Sequence, residues 1–370
     1  MDAIRVVDCG VAPPARCEAQ YHGLSAVWRP GDRPIVALAR PSAPYLCVGA
    51  SQDPAVELDL PLCRARGWPV FRRALGGGAI YLDGGQQFFH FILPRRAMPR
   101  DPPALYARLM SPALAAFGDF GVAASFAPPG DLRAAGRKIG GVTAGIVGEA
   151  LVVGSSFIAT FDTAAMADAI AAPSPAFRAG LRKALDDNMT TLSRLLDPVP
   201  ALDAVKVAFL RHLQTAYDAV VEPSTTTAPE DDAIAAYEAR LSDAMPEVEH
   251  ARRLTPGGVR VTAGRHLTEA EHRCAGGLIR VRLLEHDGRI EELTLGGDAA
   301  RAPEDRLAAL ATALVGCRLD DGGFGAAVER ELDRLDVTID GVDGRDVARA
   351  VEAAYAGARR RRLGGAGGGQ

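Results

Sequence analysis

The most informative part of this sequence is Phe71-Arg72-Arg73-Ala74-Leu75-Gly76-Gly77-Gly78-Ala79-Ile80-Tyr81-Leu82-Asp83. Two adjacent arginines lead into three consecutive glycines, and an apolar run follows at once. Glycine has no Cβ atom, so backbone N–H groups can approach a ligand closely and φ can be positive. Successive exposed amides form an anion-binding nest, and arginine charges beside it favour a phosphate or a carboxylate. A flexible turn between strands is the alternative interpretation.

Short strands are predicted on both sides of this stretch. Asp83-Gly84-Gly85-Gln86 suits a hairpin turn between two of them, so the glycines should lie at a sheet edge. A short helix is predicted between Leu60 and Gly67. The predicted strands cover residues 35–39, 45–49, 70–71, 79–82 and 87–93.

Composition is that of an ordinary globular protein. With 370 residues and 48% hydrophobic residues, the chain should form two or three domains. A net charge of −4 does not favour a general nucleic-acid or membrane-surface binder, and 6% aromatic residues argue against a stacking platform for single strands. No run approaches the roughly 20 apolar residues of a membrane span, and the start lacks a signal-peptide pattern. We therefore expect a cytoplasmic protein that binds neither nucleic acid nor membrane.

Several sites with known sequence patterns are not predicted. The six cysteines show no C-x-x-C spacing and are expected to be reduced thiols. His266, His272 and Cys274 match no standard zinc spacing, so no metal site is predicted. P-loop and G-x-S-x-G motifs are missing from the sequence. His90 is expected in a strand core, and Ser155 and Ser156 in a strand turn rather than as nucleophiles.

The last third of the chain predicts a separate small domain. A strand, an Asp-Gly hairpin and a second strand are expected between Gly276 and Leu295, giving a two-stranded sheet covered by helices at about 303–315, 324–335 and 344–356. Residues 223–229 are expected to be a linker or long loop. The Arg- and Gly-rich end is expected to be disordered. The predicted division is a catalytic domain over 1–250, an accessory domain over 251–357 and a tail over 358–370.

A second basic element is Arg137-Lys138-Ile139-Gly140-Gly141. A lysine among glycines at a loop–strand junction can reach a ligand that approaches the backbone, and its ammonium can neutralise a phosphate or a carboxylate. An adenylating enzyme must hold two anions close enough to react, so fixed positive groups and amide dipoles have to offset their repulsion. The two basic elements together supply these groups.

These motifs resemble those of the lipoate–protein ligase A family, in the biotin/lipoate ligase superfamily. Residues 72–83 resemble its lipoate-binding signature, and residues 137–141 its lysine motif, with Asp131 where an Asn-Asp pair usually stands. Residues 49–53 and 188–192 resemble two further elements, and the region 276–318 resembles the accessory domain. The likeness runs in consistent order from about residue 25 to 355.

The resemblance implies an α/β ligase domain with a mixed, mostly antiparallel sheet and a small C-terminal α+β accessory domain. It implies that lipoate reacts with ATP, accompanied by Mg²⁺, to give lipoyl-AMP, which then acylates a lysine of a lipoyl domain. Lys138 would be the catalytic residue, in contact with the acyl carbonyl and the α-phosphate. Arg73 would bind the nucleotide phosphate. The implied substrate- and ATP-binding residues are Arg72, Arg73, Gly76, Gly77, Gly78, Ala79, Ile80, Tyr81, Asp83, Asp131 and Lys138.

The chain departs from the family pattern at Leu75, Leu82 and Gln86, where serine, histidine and asparagine are usual. We expect these changes to remove polar groups around the ligand. Other functions stay open: an octanoyl or lipoyl transferase of the same fold, a biotin ligase, or a non-catalytic protein that binds lipoyl domains or lipoate. The transferase would use a cysteine after the lysine motif, but none occurs between Cys63 and Cys274. The glycine–arginine-rich signature of biotin ligases is missing from the sequence.

Overall fold

The computed structural model describes residues 3–50, 52–97, 102–242, 258–274, 277–296, 304–320, 322–337 and 342–366. They form two compact units. The first contains the chain up to Ile170 and resumes at Leu185, and the second contains Ala171–Ala184 and the described residues from Gly258 onward. The predicted boundary at residue 250 lies outside the described residues, so the division into three domains stays a prediction.

The first unit is built on three sheets. Their strands are β1 (Ala3–Ala12), β2 (Ile35–Pro41), β3 (Tyr45–Val48), β4 (Val70–Arg72), β5 (Ile80–Leu82), β6 (Gln86–Pro94), β7 (Ala124–Ala127), β8 (Asp131–Ala134), β9 (Arg137–Gly141), β10 (Thr143–Val147), β11 (Ala150–Ile158) and β12 (Val220–Pro223). The largest sheet has the order β10-β11-β6-β2-β1-β12, with parallel pairing only at β2–β1 and β1–β12. The smaller sheets are β4-β3-β5 and β7-β8-β9. This confirms the mixed, mostly antiparallel architecture.

The described chain has nine α-helices before Gly258. They are α1 (Pro14–Val27), α2 (Pro54–Glu57), α3 (Leu60–Ala65), α4 (Pro102–Asp119), α5 (Thr163–Ala169), α6 (Pro175–Asn188), α7 (Leu192–Leu195), α8 (Leu202–Tyr217) and α9 (Ala228–Ser242). Strand β6 is buried on both faces because it lies in the middle of the sheet. Its odd-numbered side packs against α4 and α8 through aromatic rings, including Phe89, Phe157 and Phe209. The other side packs against α1 and α9.

Helix α1 is buried all round from Cys17 to Ser25. Buried polar groups need hydrogen-bond partners. Gln20 Nε2 donates to the carbonyl of Val7 at 3.0 Å, and the buried carboxylate of Glu18 accepts from neighbouring tyrosines. The sequence pattern does not predict this helix, because its interior polar residues hide any apolar stripe.

The second unit contains a four-stranded antiparallel sheet in the order β13 (Gly258–Thr262), β14 (Arg265–Cys274), β15 (Gly277–His286) and β16 (Arg289–Gly296). The two-stranded sheet expected here is therefore wrong. Strands β13 and β14 are not evident in the sequence because polar His266 and Thr268 are buried in them together with apolar Val261 and Leu267. The Asp287-Gly288 hairpin is confirmed, with positive φ at both residues.

The helices of the second unit are α10 (Glu304–Ala313), α11 (Phe324–Leu335) and α12 (Gly344–Ala366). Helix α12 continues into the region expected to be a disordered tail, since alanine, arginine and leucine favour helix. Among the described residues, no helix combines the length and the apolar composition needed to cross a membrane.

Candidate acyl-adenylate site

The loop between β4 and β5, residues 73–79, is called the glycine loop. Arg73 is only 9% exposed and turns inward beneath it. Its guanidinium donates to the carbonyl oxygens of Gly76 and Gly78 at 2.9 and 2.8 Å, and to that of Cys47 at 3.3 Å. Arg73 therefore braces the loop from within, and the contact with a nucleotide phosphate that the family resemblance implies stays a prediction.

This brace fixes the direction of the loop amides. In a trans peptide the N–H points opposite to the C=O, so holding the Gly76 and Gly78 carbonyls turns the N–H groups of Gly77 and Ala79 away from Arg73. Within the described part of the chain, the N–H groups of Gly77, Gly78 and Ala79 donate to no protein acceptor. This is the amide geometry that an anion nest requires, with Arg73 contributing to it indirectly, and anion binding itself stays a prediction.

Strand β10 and the segment after β3 hold the loop in place. The Thr143 hydroxyl donates to the carbonyl of Gly76 at 2.6 Å, and the N–H of Gly76 donates to the carbonyl of Ala144 at 2.9 Å. On the other side, the N–H of Ala50 donates to the carbonyl of Leu75 at 3.0 Å. Thr143 was not predicted as a site residue, although it follows the lysine motif directly after Val142.

Two positions in this region require glycine. Gly77 has a φ of +104°, and a Cβ there would lie 2.8 Å from Arg73 Nη2. A Cβ on Gly49 would lie 2.1 Å from the carbonyl oxygen of Gly77, which is far inside van der Waals contact. The Gly49 element of the sequence therefore serves the close approach of the loop.

Lys138, the predicted catalytic residue, lies on β9. Its Nζ is 3.0 Å from Asp131 Oδ1, and Asp131 is fully buried. Arg133 lies directly across from Lys138 in the β8–β9 pairing, and its guanidinium is 3.7 Å from the same carboxylate. Leu132 and Ile139 point into the core, so Asp131, Arg133 and Lys138 share the other face.

The lysine strand is held by a later segment of the chain. The N–H of Thr190 donates to the carbonyl of Lys138 at 2.8 Å, and Met189 forms a parallel bridge with Lys138. The element at 188–192, which the sequence analysis connected with the site only by resemblance, thus supports Lys138 directly. The same run of chain that carries Lys138 continues into Thr143, so one segment contacts both the lysine region and the glycine loop.

Asp83 ends the predicted stretch at the turn after β5. Its Oδ1 accepts the N–H of Gly85 at 2.9 Å, and it is half-buried. Burial, aided by the nearby charge of Asp162, raises the pKa of the Asp83 carboxyl. Burial likewise raises the pKa of the Tyr81 hydroxyl to about 12. Both side chains therefore favour their uncharged forms more than free side chains do.

Three other predicted site residues, Arg72, Ile80 and Tyr81, lie in or at the ends of strands of the small sheet. The N–H of Tyr81 contacts Met166 Sδ at 3.2 Å, and its carbonyl accepts from Gln86 Nε2 at 3.2 Å. Ile80 pairs with Cys47 in the small sheet, and Arg72 is half-buried at the end of β4. The backbone of Tyr81 thus already has partners, so Gly77 to Ala79 carry the amides available to a ligand.

The three departures from the family pattern have buried side chains. Leu75 is fully buried in the core beside α1 and α9, and Leu82 is buried in the core beneath the small sheet. Gln86 is fully buried as well. The effect of these positions on the polar groups around a ligand stays a prediction.

A buried polar cluster missed by the sequence analysis lies near Arg73. The Tyr21 and Tyr45 hydroxyls donate to Glu18 at 3.1 and 2.8 Å. Burial, with the Glu18 charge as a smaller cause, raises the pKa of the Cys47 thiol. No sequence signal marks Glu18, because a carboxylate inside a helix ordinarily lies on its solvent face.

Metal-binding residues are not gathered in the described ranges, where no group of three or more His, Cys, Asp or Glu side chains could hold an ion. His266 and His272 instead contact Glu285 and Asp346 at 2.9 and 3.3 Å. None of the six cysteines forms a disulfide bond in the described structure.

Comparison with known proteins places these features in context. A family model described as the lipoyl protein ligase A/B catalytic domain matches residues 21–214, just over half of the chain. A search of curated protein sequences gave no match.

Solved structures share the fold. A bipartite lipoate protein ligase of Thermoplasma acidophilum, described with its E2 lipoyl domain, has a TM-score of 0.60 and 18% identity, covering 68% of this chain and 96% of that one. A lipoate-protein ligase A bound with ATP has a TM-score of 0.56 and 18% identity, covering 65% and 95%. P. falciparum LipL1 in complex with lipoate has a TM-score of 0.52 and 11% identity, covering 95% and 98%.

Proposed function

Because the chain belongs to the lipoyl protein ligase A/B catalytic-domain family, we propose that it is an ATP-dependent lipoate–protein ligase. It activates lipoate as lipoyl-AMP and transfers the lipoyl group to a lysine of a lipoyl domain. The observation that supports the proposal is that the segment carrying Lys138, whose ammonium pairs with buried Asp131, continues into Thr143, whose hydroxyl donates to the Gly76 carbonyl of the glycine loop.

The two parts meet the electrostatic need of adenylation. A carboxylate and a triphosphate repel each other, so the site must supply positive charge where charge develops. Lys138 is oriented by the buried carboxylate of Asp131, and Arg133 adds a second cation on the same face. One carboxylate against two cations leaves a net positive face. The outward N–H groups of Gly77 and Ala79 add dipoles that cost little reorganisation, because Arg73 fixes their direction.

The reaction proceeds in two transfers. A lipoate carboxylate oxygen attacks the α-phosphorus of ATP; the bond to the bridging oxygen breaks, and pyrophosphate leaves with the electron pair. Lys138 neutralises the charge that builds on the α-phosphate. The acceptor amine then attacks the acyl carbon of lipoyl-AMP, AMP leaves, and the amine loses its proton to solvent. Mg²⁺ enters with ATP, bound to its phosphate oxygens.

Cys47 and Cys63 do not support the transferase alternative. That chemistry needs an accessible thiolate. Cys47, the cysteine nearest the loop through Arg73, is fully buried, and burial raises its pKa. Burial raises the pKa of Cys63 as well. The lack of disulfide bonds among the described cysteines fits a reducing compartment, and we place the reaction in the cytoplasm.

The decisive experiment mixes the purified protein with lipoate, ATP–Mg²⁺ and a lipoyl domain, and follows the acceptor by mass spectrometry. A lipoyl domain whose target lysine is replaced by arginine is the matched control. Acylation that requires ATP and the acceptor lysine supports the ligase. Acylation from an octanoyl carrier without ATP would instead identify a transferase, and binding without acylation a non-catalytic protein.

A further inference from the structure

His22 on α1 contacts the backbone at the start of the glycine loop. His22 is buried, with only 3% of the residue exposed. The N–H of Ala74 donates to His22 Nε2 at 3.0 Å, and His22 Nδ1 lies 2.7 Å from the carbonyl oxygen of Glu18. The ring therefore links the helix backbone to the loop backbone.

These two contacts define the protonation state of the ring. A backbone N–H can only donate, so Nε2 must present its lone pair, and the single ring proton lies on Nδ1, where it donates to the Glu18 carbonyl. Burial lowers the pKa of His22, which favours the same neutral form.

Neighbouring rings fix the plane of His22. It stacks on Tyr21 with ring centroids 4.2 Å apart and on Tyr237 of α9 at 5.2 Å. A ring held on both faces cannot rotate its acceptor away from Ala74. The titratable and charged groups around it are Glu18 on α1, His90 on β6, Arg73 at the loop and Arg240 on α9.

We propose that His22 is a positioning residue for the site: its neutral imidazole holds the Ala74 N–H and so sets the start of the glycine loop. The proposal rests on the proposed function. Strand β10 and Ala50 hold the loop at Leu75 and Gly76, whereas His22 holds the peptide that follows Arg73. Ala74 itself is exposed, so its surroundings alone do not fix this peptide.

Two variants test separately the hydrogen-bond acceptor and the aromatic ring of His22. His22→Phe keeps an aromatic ring between Tyr21 and Tyr237 but has no acceptor. His22→Gln loses the ring and retains an acceptor oxygen. His212→Phe, on α8 and bonded to Asp119, is the control for a histidine remote from the loop.

Hydrogen exchange at the Ala74 amide tests the contact without reference to activity. His22→Phe should raise that exchange rate at least about tenfold, because the hydrogen bond is lost, while His22→Gln and His212→Phe should keep protection within a few-fold of the unchanged protein. In the adenylation assay, His22→Phe should raise KM for ATP about tenfold with a smaller change in kcat, and His22→Gln should recover most of it.

Unchanged Ala74 exchange in His22→Phe would overturn the proposal, as would equal exchange in His22→Phe and His22→Gln. Should His22→Phe fail to fold, retained protection in His22→Gln supports the contact and lost protection overturns it. Inactivity of the unchanged protein would count against the ligase, while the exchange comparison would still decide the contact.

Discussion

Arg73 and Lys138 are two cations set among glycines, and the structure employs them in opposite ways. The donors of Arg73 turn inward to the carbonyls of its own loop and of Cys47. Lys138 pairs with one buried carboxylate and shares an open strand face with Arg133. The first cation organises backbone dipoles, and the second presents charge.

The two cations therefore have different roles in the proposed site: Arg73 orients the loop amides, and Lys138 supplies positive charge. Amides lie at fixed positions only if their peptides cannot flip, and Arg73 prevents the flip. Changing Lys138 should therefore alter chemistry without altering the fold, while changing Arg73 should alter both.

Lys138→Ala should give the largest effect on the reaction. Loss of the ammonium should reduce lipoyl-AMP formation at least about a thousandfold, because one preorganised charge near the reacting phosphate is removed. Pyrophosphate release with lipoate and ATP measures this. The melting temperature should stay within a few degrees, since Lys138 is partly exposed.

Arg137→Ala, at the exposed neighbour on the same strand, is the matched control and should retain activity. Pyrophosphate release at the unchanged rate in Lys138→Ala would show that another cation carries the charge.

Arg73→Leu should lower the stability of the first unit as well as activity. Three carbonyls would lose charged hydrogen bonds in a largely buried place, at a cost of at least about 3 kcal/mol. The melting temperature should fall by roughly 10 °C. A melting temperature equal to that of Lys138→Ala would remove the contrast between the two cations.

Asp131→Asn should have an intermediate effect. The amide keeps the shape of the fully buried carboxylate but removes the charge that orients Lys138 and Arg133. We expect a roughly tenfold to hundredfold loss in kcat/KM for adenylation, with KM for ATP changing less than kcat. A rise in activity would show instead that Asp131 opposes the cations.

A pH titration should give the smallest effect. Burial lowers the pKa of His90 to about 3, against about 6.5 in an unfolded chain. Above pH 6.5 the ring is neutral in both states; as pH falls from 6.5 towards 3, the unfolded state gains a proton first and stability falls, by up to about 1.4 kcal/mol per pH unit. Urea unfolding at pH 7, 6 and 5 measures this.

His90→Gln should flatten this dependence relative to the unchanged protein. The same slope in both proteins would mean that other groups cause the loss, His22 among them, since burial lowers its pKa too.

The sequence predicts most of what depends on local pattern. The strands around residues 71–93 alternate or run apolar, and the glycines mark the loop, so both are evident without a structure. The direction of the Arg73 side chain is not, because two adjacent residues on a strand point to opposite sides and nothing local tells which side is interior. Glu18 and His22 were missed for a related reason: they act through a buried helix, and their partners are distant in sequence.

The stack of Tyr237 on His22 joins α9 to α1, two helices near opposite ends of the sequence of the first unit. Contacts between residues so far apart in sequence close late in folding, because a long loop must be ordered first. During synthesis, the support beneath the glycine loop is therefore completed only after α9 has left the ribosome and docked. We expect a nascent chain that lacks α9 to hold His22 less firmly, although it already contains residues 72–83 and Lys138.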